Sequence, residues 1–359
     1  MRHTKNKKKV VVAMSGGVDS SVSAGLLLQE GYDVVGVFMK CWDDIDPETG
    51  VCSTEEDEYW ARRAAAHLGI PFYRFNFVEE YRDRVYQYFI DEYNASRTPN
   101  PDVLCNSEIK FGVFFDTAMR VFAPDNLATG HYARVQKRGS RYELLRGVDS
   151  KKDQSYFLYR IPTSALEKTL FPVGWLEKEE VRERAVEMGL PNAQKKDSQG
   201  LCFIGNIKVS DFLRDKVEAR HGDVVTQDGV VVGKHKGLAF YTIGQRRGVG
   251  SFGGGVPYFV IDKNKEKNEL VVGGAHDVRL FKKSATLQDV CWINNEPDSG
   301  TECAVAIRYR QEPQRARVEY DTDSNVVIRF EEPQRAITEG QSAVIYHGDV
   351  VLGGGVICY

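Results

Sequence analysis

Val10 to Gly31 constrains this fold more than any other stretch of the 359 residues. Val10–Ala13 is an apolar run suited to a strand buried on both faces, which places it in a parallel sheet. It ends in Ser15, Gly16 and Gly17, after which Asp19, Ser20 and Ser21 open a helical pattern running through Val22, Leu26 and Leu27 to Gly31. Two glycines let the backbone bend sharply and approach a ligand closely, while the first amides of the helix, at the positive end of its dipole, point at the same place. Such a turn is an anion cradle. It is not the ATPase P-loop, which requires a Lys ahead of its final Ser or Thr.

The rest of the first half alternates strand and helix patterns. Asp33–Lys40 reads as a strand, about Glu55 to Leu68 as a helix closed by Gly69 and Pro71, and FYRFNF as a strand. A helix follows from about Val78 to Tyr93, another near Ile109 to Phe122, a strand at about Asn126 to Thr129, and a helix at about Lys178 to Met188. This is the pattern of an α/β doubly wound parallel sheet, whose ligands bind beyond the carboxyl ends of its strands. Ser15, Met39 and the segment Thr129–Tyr132 all fall at such ends. After about Ser210 the chain turns to short β runs: VVTQDGVVVG reads as a hairpin turned at Asp228-Gly229, Gly253, Gly254 and Gly255 as a flexible loop, and the chain beyond Leu280 as a small β-barrel. The expected division is residues 1–209 as the α/β domain, 210–279 as a small β-rich domain and 280–359 as the barrel.

Seven cysteines, an odd count in a large chain with an ordinary core, do not suit a secreted disulfide framework, and no CxxC or Cys/His spacing suits structural zinc. No apolar run approaches membrane-spanning length, so a cytoplasmic protein without membrane association is expected. A net charge of -3 argues weakly against nucleic acid. Locally the balance reverses: from Arg134 to Arg160 eight Lys or Arg face three acids, and Arg308, Arg310, Arg315 and Arg317 crowd together around Glu312. Either patch also reads as an ordinary solvated face.

RTPNPDVLCN (Arg97–Asn106) places Asp102 and Cys105 on what its two prolines predict to be a stiff loop between helices, with Arg97 and Lys110 near enough to lower the thiol pKa. KKDSQGLCFIG places Cys202 between Gly200 and Gly205, after Lys195 and Lys196, again on a loop. Taken alone, a cysteine such as Cys105 reads more readily as inert packing. Two loop thiols flanked by basic residues also suit a pair that cycles through a persulfide or disulfide.

SGGVDSS resembles the pyrophosphate loop (PP-loop) of ATP pyrophosphatases, which split ATP between its α- and β-phosphates. Together with FMK, RTPNPDVLCN, ATGHYAR, KDQSYFL, KKDSQGLCFIG, TIGQRRG, RYRQ and GQSAVIYHGDVVLGGG, in that order, it makes the whole chain similar to the tRNA-specific 2-thiouridylases. That resemblance implies an ATP site at Ala13, Met14, Ser15, Gly16, Gly17, Val18, Asp19, Ser20, Met39 and Gly130. It implies contact with the target base by Asn100, Pro101 and Asp102, a nucleophilic Cys105 and a persulfide-bearing Cys202. It places His131, Lys152, Asp153, Gln154, Arg308, Tyr309 and Gln341 against tRNA. Taken singly, His131 reads equally as a satisfied core histidine, Arg308 as a rim charge and Gln341 as a turn residue.

The implied reaction is 2-thiolation of the wobble uridine: its oxygen-2 attacks the α-phosphorus of ATP, pyrophosphate leaves into the cradle, and sulfur from Cys202 replaces AMP. Magnesium accompanies ATP, with Asp19 as a candidate ligand of the metal or of a water and no resident metal, and Asp102 is the candidate acid or base at nitrogen-3. Either the persulfide attacks carbon-2 and Cys105 resolves the linkage, or Cys105 frees hydrosulfide; both end in a Cys105–Cys202 disulfide. The implied partners are the tRNAs for lysine, glutamate and glutamine and a sulfur donor such as a cysteine desulfurase or sulfur-relay protein. The competing readings are an amidating or lysidine-forming ATP pyrophosphatase, which would add nitrogen rather than sulfur, and a non-catalytic RNA-binding module, which would release no pyrophosphate.

Overall fold

The computed structural model describes residues 7–43, 53–197, 212–213, 216–251 and 255–359. Cys202 and its flanking Gly200 and Gly205, Cys52, and Gly253–Gly254 lie outside them.

Five strands form the parallel sheet, in the spatial order Phe72–Asn76, Asp33–Lys40, Lys9–Ala13, Asn126–Ala128, Thr169–Leu170. Successive side chains along Lys9–Ala13 enter two different buried layers, which is why the strand is apolar on both faces. Val10 and Val12 pack under Ala24 and Leu27 of the first helix (Val18–Gln29) and Ala61, Ala64 and Ala65 of the second (Ser53–Leu68). Val11 and Ala13 face the opposite layer, among Phe77, Val85, Ile109 and Phe114. The second strand lies on one side of the first and the fourth on the other, so the order of the sheet reverses at the central strand. Its carboxyl end is therefore the crevice where doubly wound folds bind ligands.

The sequence-based helices form, with one correction. Residues 101–122 form helical segments, Pro101–Leu104, Cys105–Val113 and Phe114–Phe122, interrupted only at Gly112, rather than a loop followed by a helix at Ile109. Pro101 stands at the first helical position, where its missing N–H costs nothing, so the proline starts the helix instead of preventing it. Cys105–Val113 is π-helical, and Gly112 (φ -105°, ψ -108°) marks a kink where a Cβ would come within 2.9 Å of the Ser107 carbonyl oxygen.

In the middle region Gly222–Val225 and Val231–His235 form the expected hairpin, with Gly229 at φ 78°. They extend a four-stranded sheet with Phe259–Asn264 and Glu269–Gly273. Beyond it, Phe281–Trp292, Val326–Arg335, Gln314–Tyr320, Thr301–Ala306, Ser342–His347 and Val350–Cys358 pair in turn, and the last pairs back with the first, closing a barrel. A hairpin from the first half, Ala133–Arg138 with Arg141–Arg146, joins this sheet through Leu144 and Leu145 against Val351 and Val350. Part of the basic stretch is thus an extension of the barrel wall.

Candidate active site

The turn after the central strand is built for close approach. Gly16 lies at φ +78°, and a Cβ there would fall 2.1 Å from the carbonyl oxygen of Asp57. Gly17 is the N-cap of the first helix and offers no side chain to its amides. Ser20 Oγ accepts from the Ser15 amide at 3.2 Å and donates to the Gly17 carbonyl at 3.1 Å, which fixes the shape of the turn. Ala13 and Met14 are buried beneath it, and Met39 lies half-buried at the end of the neighbouring strand. Gly130 follows the fourth strand, so close to the helix start that a Cβ would sit 2.6 Å from the Ser20 nitrogen. Val18 is buried among Val22, Tyr132 and Val181.

From Gly130 the path leads to Cys105. The next residue, His131, shares a hydrogen bond with Thr129 Oγ1 (2.7 Å), and its Nε2 lies 3.4 Å from Lys110 Nζ. Burial, then the Lys110 charge, hold its imidazole well below the usual range. The neutral ring therefore accepts from Lys110 and donates to Thr129. Lys110 belongs to the π-helical segment that begins at Cys105. The Cys105 thiol is buried, among Val103, Ile109 and the aromatic layer under the sheet. It is on a helix, not on the expected loop, and Arg97, expected to help ionise it, is instead neutralised by the buried Glu92.

Asn100 stands at the N-cap position of the helix that carries Asp102, without a side-chain bond to its amides, and the preceding residues are held by the barrel. Gln341 Nε2 donates to the Thr98 carbonyl (2.9 Å) and the Pro99 carbonyl (3.3 Å), and the Thr98 amide donates to Glu339. Asn100, Val103 and Leu104 line a cavity of about 230 Å³ at this junction, with Tyr88, Tyr159 and Arg160 opposite. Pro101 is buried.

The other expected tRNA contacts are mostly engaged within the protein. Asp153 accepts from Arg146 Nε (3.1 Å), the Gly147 amide and Ser155. Gln154 bonds the Tyr132 backbone in both directions. The Arg308 guanidinium reaches the carbonyls of Ile243 and Ala336, joining middle region to barrel, and burial followed by Arg335 lowers its pKa. The Tyr309 ring packs on Phe157, 4.4 Å between centroids, and Phe157 in turn accepts at its carbonyl from Asn106, the neighbour of Cys105.

Sequence reasoning missed one wall of the cradle, the segment from Glu177 to Asp197. Lys178 Nζ donates to Asp19 Oδ1 (2.6 Å) and Asp197 Oδ1 (2.9 Å), and Tyr132 Oη donates to the same Asp19 oxygen (2.9 Å). Asp197 also accepts from Arg182 (2.7 Å) and from Lys152 (2.7 Å), which places Lys152 on the cradle side. Asn192 Nδ2 holds the Gly16 carbonyl (3.0 Å), and Lys195 pairs with Asp57 at 2.6 Å. Burial raises the Asp57 pKa against the opposing effect of Lys195. Lys195 and Asp197 belong to the motif singled out for Cys202, whereas Lys178 had no local signal beyond its helix. Elsewhere, carboxylate oxygens of Asp149, Glu177 and Glu179 lie within 4.8 Å of one another, but Asp149 is already occupied by the amides of Lys151, Lys152 and Lys178.

Comparison with known proteins gives three family matches: a tRNA methyl transferase HUP domain over residues 8–206, a tRNA methyl transferase PRC-barrel domain over 210–274 and an aminomethyltransferase beta-barrel domain over 282–357. The chain is 50% identical over 351 residues to the tRNA-specific 2-thiouridylase MnmA of Halalkalibacterium halodurans, covering 97% of this chain and 94% of that protein. It is likewise 50% identical over 351 residues to that of Listeria monocytogenes (97% and 94%) and 49% identical over 354 residues to that of Staphylococcus aureus (97% and 95%). A solved complex of a 4-thiouridine synthetase with RNA and ATP overlaps at a TM-score of 0.36 and 18% identity, covering 53% of this chain and 43% of that one, too loosely to bear on function.

Proposed function

Because the chain belongs to the family of tRNA-specific 2-thiouridylases, we propose that it replaces oxygen-2 of the wobble uridine of tRNA with sulfur in an ATP-dependent reaction. The observation that most supports this reading is the unbroken contact from the phosphate cradle to the cysteine helix. Gly130 presses on Ser20, His131 follows it, and Lys110 joins His131 to the helix that begins at Cys105.

Oxide is a very poor leaving group, so the uridine oxygen must first be adenylated. The first-helix amides and Ser15–Ser20 receive the pyrophosphate as it departs, where fixed donors stabilise developing charge without reorganisation. A pyrophosphate cradle suits ATP and serves no purpose for a methyl donor, which favours sulfur over methyl transfer. Asp19 fits a magnesium ion arriving with ATP: its Oδ1 is taken by Tyr132 and Lys178, and its Oδ2 accepts no hydrogen bond among the described residues. Such an ion, when bound, spreads the charge of the triphosphate, consistent with the phosphate-rich, few-carboxylate sites magnesium prefers.

The base is everted from the anticodon loop, as chemistry on a stacked base requires, and the cavity of about 230 Å³ lined by Asn100, Val103 and Leu104 offers room for a pyrimidine one residue along the chain from Cys105. Asp102 handles the proton at nitrogen-3. Sulfur comes from a persulfide on Cys202, AMP leaves, and a Cys105–Cys202 disulfide is left for reductant to reopen. The tRNAs for lysine, glutamate and glutamine are the substrates, a persulfide-donating protein reloads Cys202, and the reaction runs in the cytoplasm. Among the described residues no helix is long and apolar enough to cross a membrane.

The test is incubation of wild type and Cys202→Ser with ATP, a persulfide source and an anticodon stem-loop. The serine variant is expected to release pyrophosphate in an RNA-dependent manner and to yield no thiolated RNA by mass analysis. Thiolation by that variant at the wild-type rate would remove Cys202 from the reaction.

A further inference from the structure

Three cations converge on one carboxylate at the edge of the cradle. Asp197 is held by Lys152, Lys178 and Arg182 at 2.7 to 2.9 Å, and Lys178 also touches Asp19 in the first turn of the cradle helix. A pair that served only to tie the 178–197 segment down needs one cation. Three cations against two carboxylates, Asp197 and Asp19, leave one positive charge over, and with the Lys178 side chain only 11% exposed that surplus suits a multiply charged anion at the cradle. Resting on the ATP-dependent reading above, we propose that Lys178 and Arg182, with Lys152, are the cationic half of the triphosphate site. They take the β- and γ-phosphates and then the departing pyrophosphate, and Asp197 is the internal counter-ion that phosphate replaces.

The location supports the assignment. Lys178 opens a ten-residue helix (Lys178–Glu187) packed against the cradle helix, through Val181 and Ala185 on Val18 and Val22. Arg182 lies one turn further along the same face, and its Nη1 also bonds the carbonyls of Ala193 and Lys195, so its guanidinium is already oriented. Amides on one side and three side-chain cations on the other would enclose the outer phosphates and leave the α-phosphate towards Gly130.

Calorimetric titration of the full-length protein with ATP, AMP and inorganic pyrophosphate, each with magnesium, tests this. AMP lacks the outer phosphates. Lys178→Met is expected to weaken ATP and pyrophosphate about tenfold to a hundredfold, the scale of one charged hydrogen-bonding partner, and to leave AMP unchanged. Lys178→Arg should restore most of the loss. Asp197→Asn, which removes the competing carboxylate, is expected to tighten pyrophosphate. Equal weakening of all three ligands by Lys178→Met, or no weakening of any, would overturn the assignment. Wild-type protein that binds neither ATP nor pyrophosphate would instead bring down the ATP-dependent reading itself.

Discussion

Asp197 and Lys178 show how much one tertiary contact can change the meaning of a residue. In sequence Lys178 opens KEEVRERAVE, a charge-rich helix indistinguishable from a solvated one, and its partner Asp19 lies 159 positions away. Nothing local marks that lysine as buried. The carboxylate has a measurable signature. Burial raises the Asp197 pKa, but hydrogen bonds from Lys152 and Lys178 outweigh burial and hold it at about 2, below the ordinary 3.8. A folded-state pKa below the unfolded one stabilises fully above 3.8, and that contribution fades as pH falls towards 2. Asp197→Asn is therefore expected to melt below wild type at neutral pH, with the gap between the two narrowing from pH 4 to pH 2. Thermal melts across that range check it; a gap that stays constant would mean the carboxylate is not held by its cations in solution.

At the scale of elements, the parallel sheet and the glycine turn into its first helix were legible because each strand and helix carries its own period and its own stop, such as Gly31, Gly69 and Pro71. The segment from Arg97 to Val113 was not. Two prolines read as a helix-free loop, yet Pro101 fills the one helical position that needs no N–H, and the helix runs straight on into Cys105. What keeps the residues before it extended is the barrel, through Gln341 and the carbonyls of Thr98 and Pro99. That contact predicts a positioning role for Gln341, through the carbonyls it holds. Gln341→Ala leaves two acceptors without their donor, at a cost of about 1–3 kcal/mol to the local fold. It is expected to lower kcat for thiolation several-fold at saturating tRNA while ATP affinity stays unchanged. A rise in KM for tRNA with kcat intact would show instead that its amide acts on the RNA.

At the scale of the whole molecule, a strand-rich second half was legible from its short β runs, but its attachment to the first half was not, because register between distant strands leaves no local trace. The hairpin Ala133–Arg146 reads in sequence only as a basic stretch, yet it is zipped to Val350 and Val351, and Arg134 pairs with Asp349 at 2.7 Å. Tyr156 donates to the Ser342 carbonyl, and Thr163 to that of Ile293. The largest buried cluster runs without a break from Val11 and Leu127 under the sheet, through Tyr156 and Tyr159, to Ile293, Ala306, Val344 and Val351 of the barrel. Residues that share one apolar core lose it together, since exposing either side costs roughly 25 cal/mol for each Å² of apolar surface returned to water. The catalytic sheet and the barrel are therefore expected to unfold in a single calorimetric transition. A fragment of residues 1–209, with the partners of Leu144, Tyr156 and Tyr159 removed, is expected to lack a cooperative transition and to aggregate. Two well-separated transitions in the full chain, or a fragment that melts cooperatively on its own, would mean that the shared cluster is a contact between independently stable bodies and that Gln341 steadies the Arg97–Asp102 segment across a docking surface rather than within one core.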